Sequence, residues 1–422
     1  MNSKNKPYFI EQAEKRFPRR QSMNGDSRAG VLIVGGGITG LATAYSLSRE
    51  YPADRIILID NGRIGFSTTG NSAGLLVDSI EEDFCDMDPE VYTQVRQGLE
   101  GILKTAKDEN IQCDLRELPS IYIARKEEQV PDMIKEYKAR KEAGFPFDLF
   151  HRKKLADNLG INAEVGMWNK NGYCIDPVSF TQELARKLEQ KGAHIYEDTR
   201  LDRFDSAVKR AFTQNGAIDY QTLVLTNSSP SLDNKMFRDR VMLLASSAGV
   251  TEPLNKRQIR KLWKNGEIIG WDADFPSYIY FRPVGKDRLL VGGCDKLVSQ
   301  KDVRKGDYSL PEDEAELKRQ IEDIFPEVRR IKFSNFWTGV MPVSVDGVPL
   351  AGKIQEDHYV GMYSGGLPFS FRAGEIISQL ITRKNPEGYE LFNPKRKMPL
   401  KDKIRTLTRY QPFTGIANRL IF

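Results

Sequence analysis

The sequence predicts an α/β domain assembled from separated stretches of chain, joined to an α+β domain that carries an antiparallel sheet. Three features lead there: a glycine turn between an apolar run and a small-residue helix, a β-rich run ending in an acid, and a downstream alternating segment that reads as a hairpin. The turn is Val31-Leu-Ile-Val-Gly-Gly-Gly-Ile-Thr-Gly40, followed by Leu41-Ala-Thr-Ala-Tyr-Ser-Leu47. Gly35, Gly37 and Gly40 stand at G-x-G-x-x-G spacing. In that pattern Gly35 permits the tight turn, Gly37 lets the backbone approach a pyrophosphate, and Gly40 lets helix and strand pack closely. The helix N-terminus at Ile38 and Thr39 offers N–H groups and a partial positive charge to phosphate. The run Arg55-Ile-Ile-Leu-Ile-Asp60 puts a carboxylate 25 residues after Gly35, near the spacing that serves a ribose. Residues 31–60 thus form a Rossmann-like, dinucleotide-binding βαβ unit.

The remaining elements follow in order. Residues 1–28 are polar and basic and read as an extended arm, with Phe17-Pro-Arg-Arg20 as its docking point. The small-residue loop 61–74 suits wrapping of a cofactor through its glycines and hydroxyls. Val95, Leu99, Leu103 and Ala106 mark a helix over 92–110. A strand is expected at 120–124, and a charged helix with an exposed face at 129–143. Pro177 opens a helix running to Gly192, with a short strand at 193–197. The apolar run 221–226 reads as a strand returning to the nucleotide domain. Tyr278-Ile-Tyr-Phe-Arg-Pro283 and Arg288-Leu-Leu-Val-Gly-Gly293 form the hairpin, and an acid-led helix covers 310–324. The expected division is an arm at 1–28, nucleotide-domain parts at 29–84, 171–232 and 331–391, substrate-domain parts at 85–170 and 233–330, and a basic tail at 392–422.

Composition narrows the function classes. A chain of 422 residues with 40% hydrophobic and 29% charged residues is long enough for several lobes and a large core. No run of eighteen apolar residues occurs, and the start of the chain is charged, so neither a membrane span nor export is expected; the expected location is cytoplasmic. Cys85, Cys113, Cys174 and Cys294 contain no C-x-x-C pair, which suits a reducing compartment and argues against a zinc site; no metal is expected. The tail from residue 392 carries +7 of the net +5, leaving −2 for the rest. Such a tail can meet an anionic membrane surface, but a solvated segment on its own protein is favoured, and no nucleic-acid partner is expected.

Four blocks resemble the flavin-dependent family of D-amino-acid oxidase, glycine oxidase and sarcosine oxidase: residues 31–60, the loop 62–71, residues 172–199, and residues 337–352 together with 363–374. Within it the pattern is most similar to the gamma-glutamylputrescine oxidoreductase type. The resemblance implies FAD, bound by Gly35, Gly37, Ile38, Thr39, Gly40, Asp60, Asn61, Arg63, Ser67, Thr68, Gly70 and Asn71 at one end of the chain. At the other end it implies Gly339, Gly365, Gly366 and Leu367, with a helix starting near Gly366 whose positive end stabilises the reduced flavin. Asp60 stands where the family usually has Glu.

The departures from that pattern bear on the substrate. The family's amino-acid oxidases clamp the substrate carboxylate with an Arg in Gly-Leu-Arg-Pro; here Gly339-Val-Met-Pro342 puts Met341 in its place. Sarcosine oxidases attach FAD through a cysteine near this motif, and none lies between Gly339 and Asp346, so non-covalent FAD is expected. Leu290 replaces the lysine that assists reaction with oxygen in the sarcosine-oxidase hairpin, leaving oxygen or a redox partner as electron acceptor. Substrate-pocket candidates are Trp337, Met341, Tyr280 and Tyr363, with Tyr278 and Arg282 sharing a strand face with Tyr280; Arg282 serves either a distal carboxylate or a structural contact. The three histidines, His151, His194 and His358, sit in unpromising places for a base, which favours an amine substrate over a 2-hydroxy acid. The expected activity is oxidation of a small-molecule amine at its C–N bond, with flavin dehydrogenation of hydroxy acids or a non-catalytic flavoprotein as alternatives.

Overall fold

In the computed structural model the described residues are 5–78, 83–227, 237, 240–273, 278–306, 308, 311–362 and 366–398. Two large sheets organise them. The first has eight strands, and its continuous path runs 350–355, 358–362, 216–225, 27–34, 56–59, 194–196. Its centre is parallel, with Val31 opposite both Ile56 and Thr222, Leu58 opposite Ile195, and Leu223 opposite His358. Strands distant in sequence thus alternate in one sheet, which is the discontinuous Rossmann-like architecture.

The apolar run explains why the central strand lies there. Val31, Leu32, Ile33 and Val34 are all buried, as a strand covered on both faces requires. Val31 and Ile33 pack with Leu41, Ala44 and Tyr45 of the helix Ile38–Leu47. Leu32 and Val34 pack on the other side with Ala211, Ile218 and Leu223. The helix Gly366–Ile381 lies on Ile38–Leu47 so closely that a Cβ on Gly374 would meet Thr39 O at 2.6 Å.

The second sheet has nine strands: eight lie on the path 333–344, 241–251, 288–298, 279–284, 269–272, 116–124, 165–174, 75–76, and the ninth, 148–151, pairs with 165–174 off that path. It is antiparallel except where Ile269–Asp272 runs parallel to Arg116–Ala124. One face buries Ile279, Phe281, Leu289, Val291 and Phe333 against Leu317, Ile321 and Ile324 of the helix Pro311–Ile324. The other face turns toward the loop at 61–74 and the N-terminal arm.

One expectation changes. The arm is not extended throughout: Tyr8–Arg16 is a helix whose Phe9, Ile10 and Ala13 are buried with Ala73, Val178 and Trp337. A helix of nine residues is unstable alone, so it exists here through tertiary packing. The charged helix Val130–Glu142 has the expected exposed face, and its inner face carries a buried acid. Glu136 is 1% exposed and accepts from Phe84 N–H, Cys85 N–H and Arg140 Nε at 3.0, 2.8 and 2.6 Å.

Candidate cofactor and substrate site

At the glycine turn each glycine has a separate structural reason. Gly35 has φ +114°, and a Cβ on it would lie 2.8 Å from the backbone of Thr226 and Asn227. A Cβ on Gly40 would lie 2.0 Å from Gly35 O, so this glycine sets helix-to-strand contact. Gly37 differs. Its φ of −77° suits any residue, and an added Cβ would meet only Thr69 Oγ1, at 3.2 Å. Packing does not require glycine there; open space does remain, as a group approaching the backbone needs.

Asp60 braces this turn. Oδ2 accepts from Gly36 N–H at 2.7 Å and Oδ1 from Gly62 N–H at 2.8 Å, so one carboxylate spans the turn and the following loop. Burial pushes its carboxyl above the ordinary value, while those two N–H groups pull it down. Ile38 N–H donates to Thr69 Oγ1 at 3.2 Å. Among the described residues Gly37 and Thr39 donate no backbone hydrogen bond, leaving N–H groups at the positive end of the helix.

The loop is fastened to the second sheet. Ser67 and Asn61 are exposed, and the short helix Thr68–Asn71 follows Ser67. Trp337 Nε1 donates to Asn71 O at 3.0 Å, Thr68 Oγ1 to Val340 O at 3.4 Å, and a Cβ on Gly339 would meet Asn71 Cβ at 2.7 Å. A Cβ on Gly70 would meet Gly65 O at 2.5 Å. Arg63 is buried and turned to the arm: Nη2 donates to Phe17 O at 2.8 Å, and Nε lies 3.8 Å from Glu197. Gly366 and Leu367 begin the late helix; Tyr363 and Gly365 lie outside the described residues.

Beside that loop the sheet face opens. Register places Ser246 opposite Gly339, Leu244 opposite Met341, and Tyr280 opposite Gly292. Trp337, Ala248, Val250 and Leu290 on this face are buried, but Ser246 and Tyr280 are only half-buried although strands flank both, and Gly339 and Met341 beside them on the edge strand are half-buried too. Half-open positions on two interior strands, Ser246 and Tyr280, mark a hollow that runs out to the edge strand at Met341. Trp337 is 4% exposed and braces the Asn71 loop from within the apolar cluster, whereas Met341 and Tyr280 reach the opening. Burial raises the Tyr280 phenol, which keeps it a hydroxyl donor.

Asp295 and Ser246 escaped the sequence reading. Asp295 is 7% exposed, Oδ2 accepts from Tyr278 O–H at 3.1 Å, and the Ser246 hydroxyl interacts with both Asp295 and Tyr280. Strict alternation from Leu290 and Gly292 would put Asp295 on the opposite face. Between Ser247↔Gly293 and Ala245↔Lys296 the strand carries one extra residue, and Cys294 has φ +58°. This bulge re-aims Asp295. Arg282, by contrast, is fully buried: Nε and Nη2 donate to Ala73 O and Ile175 O at 2.6 and 2.9 Å, beneath the Phe9 ring. Both of those nitrogens serve backbone carbonyls, a structural contact.

Comparison with known proteins decides the family. The family model described as FAD dependent oxidoreductase, DAO, matches residues 30–380. The chain belongs to the DAO family of FAD-dependent oxidoreductases. It is 24% identical to gamma-glutamylputrescine oxidoreductase of Escherichia coli over 91% of this chain and 90% of that one. It is 24% identical to glycine oxidase of Bacillus subtilis, over 87% and 97% of the two chains. Among solved structures it resembles L-proline dehydrogenase from P. horikoshii, with TM-score 0.72 and 18% identity over 87% and 97% of the chains.

FAD fits the residues of this oxidoreductase. Space is kept at Gly37, N–H groups are left at the helix start, and the Asn71 loop borders an open sheet face. Among the described residues no cluster of three or more His, Cys, Asp or Glu is arranged to hold a metal, and no helix is long and apolar enough to cross a membrane.

The buried acid has a measurable signature. Burial pushes the Asp295 carboxyl up to about 6, with Ser246 and Tyr278 opposing. In the unfolded chain it ionises near the ordinary 3.8, so between about pH 4 and 6 the native state holds the extra proton. Stability therefore falls as pH rises through that window, by about 2–3 kcal/mol when complete. Cofactor-free Asp295→Asn is expected to outlast wild type in urea at pH 7 by about 2 kcal/mol and to match it near pH 4. Equal midpoints at both pH values would show that Asp295 is not buried as described.

Proposed function

We propose that the oxidoreductase oxidises the C–N bond of a primary or secondary amine to an imine, which water hydrolyses. The observation that carries this reading is the makeup of the hollow: Met341, Tyr280 and Ser246, with an acid and no histidine. An alcohol commonly needs a positioned base to take its proton, whereas an amine needs only to enter as the neutral base, which apolar surroundings favour. His358 is buried in the other sheet, Nε2 lying 3.0 Å from Tyr220 O–H, while His151 and His194 are exposed. When bound, FAD supplies the acceptor for the hydride. The chain's part is to hold the amine against the hollow, with Met341 as an apolar wall and Tyr280 as a hydroxyl donor.

The names of two relatives, gamma-glutamylputrescine oxidoreductase and glycine oxidase, agree with a nitrogen-bearing substrate. Met341 in place of an arginine weighs against simple α-amino acids. Leu290 is fully buried among apolar side chains, so the lysine-assisted route to oxygen is not available at that position.

The test is a panel of amines, α-amino acids and 2-hydroxy acids, scored anaerobically for flavin bleaching and aerobically for peroxide. Bleaching by amines supports the proposal; bleaching by hydroxy acids alone overturns it. Met341→Ala is expected to raise KM for the best amine about tenfold with kcat changed less, as loss of a binding wall should. Trp337→Ala is expected to lower flavin content instead, because it releases Asn71. Unchanged turnover in both variants would place the pocket elsewhere.

A further inference from the structure

Asp295 reaches the hollow only through the bulge at Gly293 and Cys294, and its two oxygens are unequal. Oδ2 is held by Tyr278 O–H, whereas Oδ1 is buried without a hydrogen-bond partner. A buried carboxylate with an open acceptor is unfavourable unless something supplies a donor. The nearby cations do not. Lys296, the next residue, lies on the opposite face, with Nζ 2.7 Å from Asp313. Arg282, further along the same face, is fixed on Ala73 O and Ile175 O under Phe9.

We infer that Asp295 is a specificity-determining residue that receives a protonated amino group of the substrate, which makes the substrate class a diamine. One nitrogen, neutral, is the site of oxidation; the second, as ammonium, meets Asp295. This rests on the amine reading above and deepens it. An ammonium is a compact donor-only cation that forms a short charge-assisted bond to a carboxylate. An anionic end in the same position would face uncompensated negative charge, so an amino acid binds poorly there. Ser246 and Tyr278 keep the carboxylate aimed, and the apolar wall at Met341 accommodates the methylene chain.

Three four-carbon probes differing only at one end test this: 1,4-diaminobutane, n-butylamine and 4-aminobutanoate. Anaerobic mixing with the FAD-loaded enzyme gives two readouts, the immediate perturbation of the flavin band, which yields Kd, and its later bleaching. Wild type is expected to bind 1,4-diaminobutane at least about tenfold more tightly than n-butylamine, with 4-aminobutanoate weakest. Asp295→Asn is expected to remove most of the diamine's advantage and leave n-butylamine within about twofold. Bleaching by all three probes with no charge preference overturns the role of Asp295 while leaving amine oxidation standing. Charge-selective binding without bleaching by any amine supports Asp295 as the cation acceptor and overturns the proposed reaction. Tighter binding of 4-aminobutanoate than of the diamine overturns the inference whatever the variant does.

Discussion

Gly37→Val is expected to yield a folded protein that no longer retains FAD. Gly37 has φ −77° and ψ −178°, ordinary extended backbone for an L residue, and its new Cβ would touch only Thr69 Oγ1, at 3.2 Å. The fold therefore has no reason to fail. The valine methyls would instead fill the space left before the helix N-terminus, where the G-x-G-x-x-G turn admits a pyrophosphate. Affinity for FAD should fall at least about a hundredfold, roughly 3 kcal/mol, read by titrating the cofactor-free protein. Stability must be compared between cofactor-free forms, because bound ligand raises the apparent stability of wild type alone. Gly40→Val supplies the contrast: its Cβ would lie 2.0 Å from Gly35 O, a backbone atom, so this variant should fail to fold. A yellow Gly37→Val protein with the wild-type flavin-to-protein ratio would show that the turn does not hold the cofactor.

The different reasons for those two glycines also mark what sequence can reveal. Spacing identified the motif, the strand and the helix, since each depends on local pattern within about thirty residues. The proposed substrate wall is another matter. Asn71, Ser246, Tyr280, Asp295 and Gly339 meet through strand register, and a single bulge reverses which face Asp295 occupies. No alternation count reveals an inserted residue. The arm helix was hidden because Phe9, Ile10 and Ala13 are too few to signal a helix before their tertiary partners are known. Arg63 was assigned to the cofactor by its place in the loop 61–74, but its orientation toward Phe17 O was hidden, because that depends on where the arm passes. Most of the basic tail, from residue 399 onward, lies outside the described residues.

Arg20→Ala is expected to destabilise the protein by about 3 kcal/mol and to loosen FAD as well. Arg20 brings the arm to a buried acid. Its Nε and Nη2 reach Glu189 at 2.8 and 3.1 Å, Nη1 reaches Gln182 Oε1 at 2.7 Å and Glu197 Oε1 at 3.4 Å. Glu197 is 0% exposed, so removing the guanidinium leaves that carboxylate with Arg63, 3.8 Å away, and with backbone N–H groups. A buried charge that loses a partner is costly, whereas an exposed pair would barely register. The effect should travel to the cofactor through named contacts. Glu197 accepts from Ile64 N–H at 3.0 Å, Gln182 donates to Ile64 O at 2.7 Å, and Ile64 Cδ1 lies where a Cβ on Gly36 would stand, 2.2 Å away. Arg20→Lys should recover less than half of the loss, because one ammonium cannot reproduce the planar fork that serves Glu189, Gln182 and Glu197 together. Urea unfolding of the cofactor-free proteins measures the first effect, and FAD titration measures the second. Since the contact is buried, about 0.5 M salt should leave the difference largely intact. If Arg20→Ala unfolds within about 0.5 kcal/mol of wild type, the arm does not hold Glu197, and the route from arm to glycine turn fails with it.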